Sequence, residues 1–303
     1  MRNTFTDTML EVGKIDSKLV VLVGDISHFA LQPFAKACPG RFYNIGICEP
    51  TIISMAAGLS HAGMYPVAHT IAPFIVERGF EQIKMDFCYQ SLGGTLITVG
   101  SAFDYSGLGC SHFCYDDIAL IKALPETQVI YPAMPKEFNL LFKDTYANGK
   151  LTYFRLPAHK HHIDISEDQI YLGKGVLIQS GRDITIIAAG SQLKTVIDSL
   201  PVLDQLGIKP EVIYLHTIKP FDYDLVRISV AKTNKYLVLE EHTQFGGVAD
   251  EVMRAVKGLD NIKSEIINIP DCFIHGYGSY YDHCNAIGLT SENVINKVKK
   301  LCF

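Results

Sequence analysis

Short, β-rich apolar runs alternate with stretches of helical periodicity along nearly the whole chain. The runs "LVVLVGD" (19–25), "GTLITVG" (94–100), "TQVIYPA" (127–133) and "LTYFRLP" (151–157) read as buried strands. Helical spacing fills the segments 4–13, 51–63, 74–88, 115–123 and 135–147. Apolar strands separated by helices predict a parallel sheet covered on both faces. After a polar, His-rich connector at 158–170, a second series begins with "DITIIAAGS" (183–191), "PEVIYLHTI" (210–218), "KYLVLEEH" (235–242) and "SEIINI" (264–269). Its helices fall near 192–206, 222–231, 246–257 and 290–300, the last with a capping Thr290 and Glu292 in its first turn. The pattern predicts an α/β chain of two consecutive domains, each a mainly parallel sheet flanked by helices. Their expected bounds are residues 1–165 and 181–303, joined by a linker at 166–180.

Composition narrows the function classes. With 303 residues, 48% hydrophobic and 19% charged, the chain can bury two sizeable cores. A net charge of −5 and the lack of a basic stripe argue against nucleic acid as the main partner. Eight cysteines form no CxxC pair, and Cys110 and Cys114 are spaced too loosely for a zinc site. The cluster "HKHH" (159–162) reads as a solvated loop. Glu49, His61, Pro66 and His69 interrupt the apolar stretch 45–76, so no membrane span is expected. Without a signal segment or a glycosylation sequon, the expected location is cytoplasmic. Phosphate loops are missing: "GLG" (107–109) and "GYGS" (276–279) complete neither GxGxxG nor GxxxxGK[ST].

One carboxylate stands out. Glu49 lies among Ile45, Ile47, Ile52, Ile53, Met55 and Leu59. A carboxylate there costs several kcal/mol unless it is paired, protonated or hydrogen-bonded. It is either a helix-start residue ahead of Pro50, favoured by the helix dipole, or a group kept for chemistry.

Six collinear phrases decide between these readings. "GDIS" (24–27), "FYNIGICEPTIISMAAGLSHAGMYPVAHT" (42–70), "TIAPFIVERGFEQIKMDFCY" (70–89), "GLGCSHFCYDDIALIKALPETQVIYPA" (107–133), "TIKPFD" (217–222) and "LEEHTQFGGV" (239–248) resemble, in order, the C-terminal half of transketolase-like enzymes. The resemblance implies a pyrimidine-binding domain followed by a transketolase C-terminal domain. It also implies thiamine diphosphate, with Mg²⁺ and the diphosphate held by a G-D-G…N motif. That motif is missing from this chain. The partner implied is an N-terminal diphosphate-binding subunit, in an α₂β₂ assembly whose cofactor lies between protomers.

The resemblance also implies residue roles. Glu49 matches the carboxyl group that bonds to the aminopyrimidine ring and promotes its imino tautomer. Phe74 matches the aromatic that stacks on that ring, with core packing as the alternative. Ile71 and Glu77 stand where relatives carry an aromatic and a tyrosine, and Arg78 and Phe80 read as packing or interface residues. His112 matches an active-site histidine near substrate, with a structural histidine as the alternative. Arg155 matches an arginine that grips substrate phosphate, or else pairs with a carboxylate across an interface. Ser27 and His28 line the expected mouth, and Glu241 and His242 fall in a domain used mainly for dimer packing.

The run "GSAFDYSGLG" (100–109) departs from the transketolase pattern, with Gly100 and Leu108 at the hydroxyl-reading positions. Losing both partners weakens recognition of a standard sugar phosphate by several kcal/mol. Asp104 and Tyr105 offer a different polar pattern. The expected activity is transfer of a two-carbon ketol unit between a ketose and an aldehyde, with a non-standard sugar substrate. The alternatives are the β chain of a 2-oxo-acid dehydrogenase or a 1-deoxyxylulose-5-phosphate synthase-like enzyme, both using pyruvate-type donors. A non-catalytic assembly subunit is the reading from another class.

Overall fold

The apolar runs become the central strands of two sheets in a computed structural model describing residues 1–303. In chain order the strands are β1 (Leu19–Val23), β2 (Phe42–Asn44), β3 (Tyr65–Ile71), β4 (Gly94–Val99), β5 (Gln128–Ile130) and β6 (Leu151–Leu156). Then follow β7 (Val176–Gln179), β8 (Ile184–Ala189), β9 (Pro210–Leu215), β10 (Thr217–Lys219), β11 (Lys235–Thr243) and β12 (Lys263–Ile269). Between and around them run α1 (Arg2–Ile15), α2 (Gln32–Ala37), α3 (Glu49–His61), α4 (Ala72–Val76), α5 (Phe80–Gln82), α6 (Asp117–Lys122) and α7 (Pro135–Thr145). The second half adds α8 (Leu193–Gln205), α9 (Tyr223–Thr233), α10 (Val248–Ala255), α11 (Tyr280–Ile287) and α12 (Ser291–Cys302).

The first sheet has the order β10-β5-β6-β4-β3-β1-β2 and the second β12-β11-β8-β9-β7. Every pairing is parallel except β10 with β5 and β7 with β9. Helices cover both faces. Phe5, Phe34 and Phe142 pack on one side of the first sheet, in an apolar layer that runs on to Val196 and Val294 of the second unit. Ile52, Ile75 and Ile121 pack on the other side, in a layer continuing to Val226 and Val252. Two layers shared by both halves explain why the sheets hold one another in place.

Several local expectations change. The run 210–218 is not one strand: β9 stays in the second sheet, and β10 crosses to the edge of the first, with Thr217 opposite Ile130. Residues 176–179, expected as linker, form β7 against β9. The helix expected over 74–88 is broken into α4, α5 and a wide turn at Ile83–Cys88. At the first break a side chain on Gly79 would stand 2.7 Å from the Ile75 carbonyl oxygen, so only glycine allows the close turn. The cluster 159–162 is not wholly solvated either. His161 is buried, with Nε2 2.8 Å from Glu137 Oε1, because Glu137 must be compensated where it caps α7.

Candidate active site at the carboxyl edge of the first sheet

Strands β4, β3, β1 and β2 lie side by side and parallel, so their C-terminal ends open along one edge. That edge is where open α/β sheets bind ligands. Ser27 and His28 follow β1, Glu49 follows β2, Phe74 follows β3, and Tyr105 and His112 follow β4. Residues far apart in sequence thus fall along one edge of the sheet.

Glu49 is the first residue of α3, with Pro50 in its opening turn, and is only 3% exposed. Its Oε2 lies 3.5 Å from Nη1 of Arg78. The Arg78 guanidinium carbon in turn sits 4.0 Å from the centre of the Phe74 ring. Phe74 is half-buried on α4, and the His112 ring meets it edge-on at 5.0 Å. Burial and the positive charge of Arg78 lower the His112 pKa from its usual value, which favours a neutral imidazole. Ser111 Oγ stands 3.0 Å from His112 Nδ1. Next to Arg78, the carboxyl of Glu77, a residue exposed as a whole, is pushed up to about 7 by partial desolvation and by the negative charges of Asp116 and Asp117. Arg78, expected as a packing or interface residue, bridges Glu49 and Phe74.

The departing loop has a structural explanation. Gly100 takes φ 92°, and a side chain there would meet the Tyr105 ring at 2.8 Å. Tyr105 therefore fills the volume that a residue-100 side chain would occupy, and its hydroxyl accepts a 2.6 Å hydrogen bond from Arg2. A cavity of about 290 Å³ opens beside them, lined in part by Arg2, Gly100, Asp104 and Leu156. Asp104 itself turns inward. Its Oδ2 accepts from the backbone N–H groups of Ser101 and Ala158, both at 2.8 Å, while Oδ1 has no hydrogen-bond partner. Ser27 Oγ lies 2.9 Å from His69 Nε2, and His28 Nδ1 3.4 Å from Asn44 Nδ2.

Of the two readings of Arg155, the structure shows the carboxylate pair, formed within the chain and not across a subunit interface. Arg155 is 0% exposed, so it reaches no substrate from this position. Its Nε stands 3.1 Å from Asp117 Oδ2, in ion-pair contact without hydrogen-bond alignment. Its two terminal nitrogens donate to the Glu241 and Cys114 carbonyls, each at 3.0 Å. Glu241, expected in a packing domain, also reaches back to the site. Its Oε1 accepts from Ala102 N–H at 2.8 Å, and its Oε2 accepts from Tyr280 at 2.7 Å and from Ser191 and Gln192 at 3.1 Å. No single sequence motif signals this anchor, because its partners come from three separate segments.

Fold and site together define a two-domain α/β chain with a cluster of polar and aromatic side chains at the carboxyl edge of its first sheet. Comparison with known families matches the transketolase pyrimidine-binding domain over residues 1–161 and the transketolase C-terminal domain over residues 173–294. The chain belongs to the transketolase family. It is 30% identical to one subunit of the apulose-4-phosphate transketolase of Phocaeicola vulgatus, over 91% of this chain and 89% of that protein. It is 27% identical to the 6-deoxy-6-sulfo-D-fructose transketolase subunit SqwH of a Clostridium species (strain MSTE9), over 97% and 92%. A solved structure described as a split gene transketolase, inactive beta4 tetramer, superposes with a TM-score of 0.89 at 29% identity, covering 99% of this chain and 97% of that one.

Proposed function

We propose that this chain is the C-terminal subunit of a split, thiamine diphosphate-dependent transketolase that moves a two-carbon ketol unit from a ketose to an aldehyde. The observation that carries the reading is the slot between the Glu49 carboxylate and the Phe74 ring. Arg78 already fits a flat, nitrogen-bearing group into it, lying over the ring and facing the carboxylate. An aminopyrimidine has the same shape and the same two demands, so the residues fit the cofactor. When bound, thiamine diphosphate supplies an electron sink for breaking and making the carbon–carbon bond.

The chain's own residues then have definable tasks. Phe74 would stack on the aminopyrimidine and exclude water from one ring face. Glu49, shielded from solvent, would hydrogen-bond the aminopyrimidine and help it exchange a proton. His112, favoured in its neutral form, takes or returns a proton at substrate oxygens. The chain has no G-D-G…N stretch, which supports Mg²⁺ and diphosphate ligands on a partner subunit. The β-only assembly of the structural neighbour is described as inactive, which supports the same division. An α₂β₂ complex with two sites is the smallest symmetric arrangement that completes them. A non-standard sugar is favoured by Gly100, by the exposed Leu108, and by the substrates in the names of the two relatives. No helix is long and apolar enough to cross a membrane, and a cytoplasmic enzyme of carbohydrate metabolism is the proposal.

The test is reconstitution with the partner subunit, thiamine diphosphate and Mg²⁺. Ketose-dependent release of the shortened aldehyde by the complex, and by neither subunit alone, is the expected result. Consumption of pyruvate with no turnover of any ketose would overturn the assignment in favour of a pyruvate-using relative.

A further inference from the structure

His69 has a fixed protonation pattern. It is fully buried within β3, and its Nδ1 lies 2.9 Å from the Ile97 carbonyl oxygen. A carbonyl oxygen can only accept, so Nδ1 carries the proton. Burial, and after it the charge of Arg2, lowers the pKa to about 4, against the effect of the Ile97 bond. Nε2 is therefore a bare acceptor at neutral pH. Its partner, 2.9 Å away, is Ser27 Oγ. The one hydroxyl proton of Ser27 is thus committed to His69, and only lone pairs remain on Oγ.

Ser27 is also held in an unusual backbone state. It takes φ 61° and Asp25 takes φ 66°, two non-glycine residues in the left-handed region within one short loop. Such conformations persist where the surroundings over-determine them, and they cluster at binding sites. Asn44 helps hold this loop, with its Oδ1 accepting from Asp25 N–H at 3.0 Å. Ser27 remains partly exposed, just past the end of β1, between the segments that carry Glu49 and Phe74.

We propose that His69 is a positioning residue that makes Ser27 an obligate hydrogen-bond acceptor for one hydroxyl of the sugar substrate. A neutral polyol segment satisfies that acceptor. A sulfonate or a phosphate dianion has no proton to give and is disfavoured there. The proposal rests on the ketose-transferring reading for its ligand, while the state of Ser27 rests on geometry alone.

The reconstituted complex tests both parts. Ser27→Ala should raise KM for the donor ketose about tenfold, the loss of one hydrogen bond to a part-buried acceptor, with kcat within about twofold. His69→Gln should raise KM likewise. Among monodeoxy analogues of the ketose, the one lacking the contacted hydroxyl should show the same KM with wild type and Ser27→Ala. Unchanged KM in Ser27→Ala, or equal losses with every analogue, overturns the proposal. Nitrogen-15 NMR of the wild-type complex should show His69 protonated at Nδ1 alone from pH 6 to pH 8; protonation at Nε2 overturns it as well. A wild-type complex that turns over no ketose would overturn the functional reading and the sugar ligand with it, while the nitrogen spectrum still decides whether Ser27 is an acceptor.

Discussion

Arg78 holds its guanidinium 3.5 Å from the Glu49 carboxylate while lying 4.0 Å above the Phe74 ring. A half-exposed cation over an aromatic face is worth about 0.5–1 kcal/mol, small enough for an entering ring to displace. Arg78→Ala should therefore bind thiamine diphosphate a few-fold more tightly in the two-subunit complex, measured by fluorescence titration. Binding ten times weaker would mean that Arg78 contacts the cofactor instead of yielding to it.

Glu49→Gln removes the acid–base group and keeps its shape. The variant should fold and assemble normally, with turnover lower by about two or more orders of magnitude, the range for losing a positioned proton-transfer group. Steady-state kinetics alongside thermal unfolding separates the two effects. Turnover close to wild type would sink the assigned role.

Arg155 and Asp117 form a pair with both side chains at 0% exposure. Removing one partner strands a buried charge, so Arg155→Ala and Asp117→Ala should each cost about 3–5 kcal/mol in urea unfolding. The double variant should lose less than the sum of the two. An Arg155→Ala protein of near-native stability with a raised substrate KM would instead restore a substrate contact.

Glu240 gives a pH signature. It is fully buried in β11, and its carboxylate accepts from the Val248 and Ala249 N–H groups at 2.5 and 3.3 Å. Burial raises it to about 7, with those two bonds acting the other way. Between its unfolded value, about 4.5, and 7, the folded chain binds more protons than the unfolded one. This group's contribution to stability therefore falls as pH rises through that window, by up to about 3 kcal/mol, and is level above it. His69 and His242, both lowered to about 4 by burial, have the opposite sign: their contribution grows as pH rises from 4 to about 6.5. Comparing wild type with Glu240→Gln cancels the histidines. The stability difference between the two proteins should change between pH 5 and pH 8; parallel curves would show that Glu240 does not titrate there.

Much of the architecture was legible in the pattern of residues. The runs at 19–25, 94–100 and 151–157 contain β1, β4 and β6, since a strand buried on both faces needs continuous apolar sequence. Strand β3 was harder to read, because Pro66 and His69 break its apolar run, and their tolerance depends on neighbouring strands. The short β2 and β7 carry too few residues for any periodicity. The position of Glu49 could be read from Pro50 and the isoleucines around it, whereas Arg78 could not be assigned, because its partners are set by the break at Gly79.

By itself the sequence determined the α/β class, the two-domain order, membership of the transketolase family and the absence of a diphosphate motif. These follow from local composition and from motifs that each occupy one stretch of chain. Only the tertiary structure decided that Arg155 is sealed against Asp117, that β10 joins the first sheet, that Tyr105 covers Gly100 and that Ser27 gives its proton to His69. Each of those depends on the distance and direction between groups from separate segments. Parallel strands bring such groups together only after their crossover helices have packed, so no local pattern along the chain carries them.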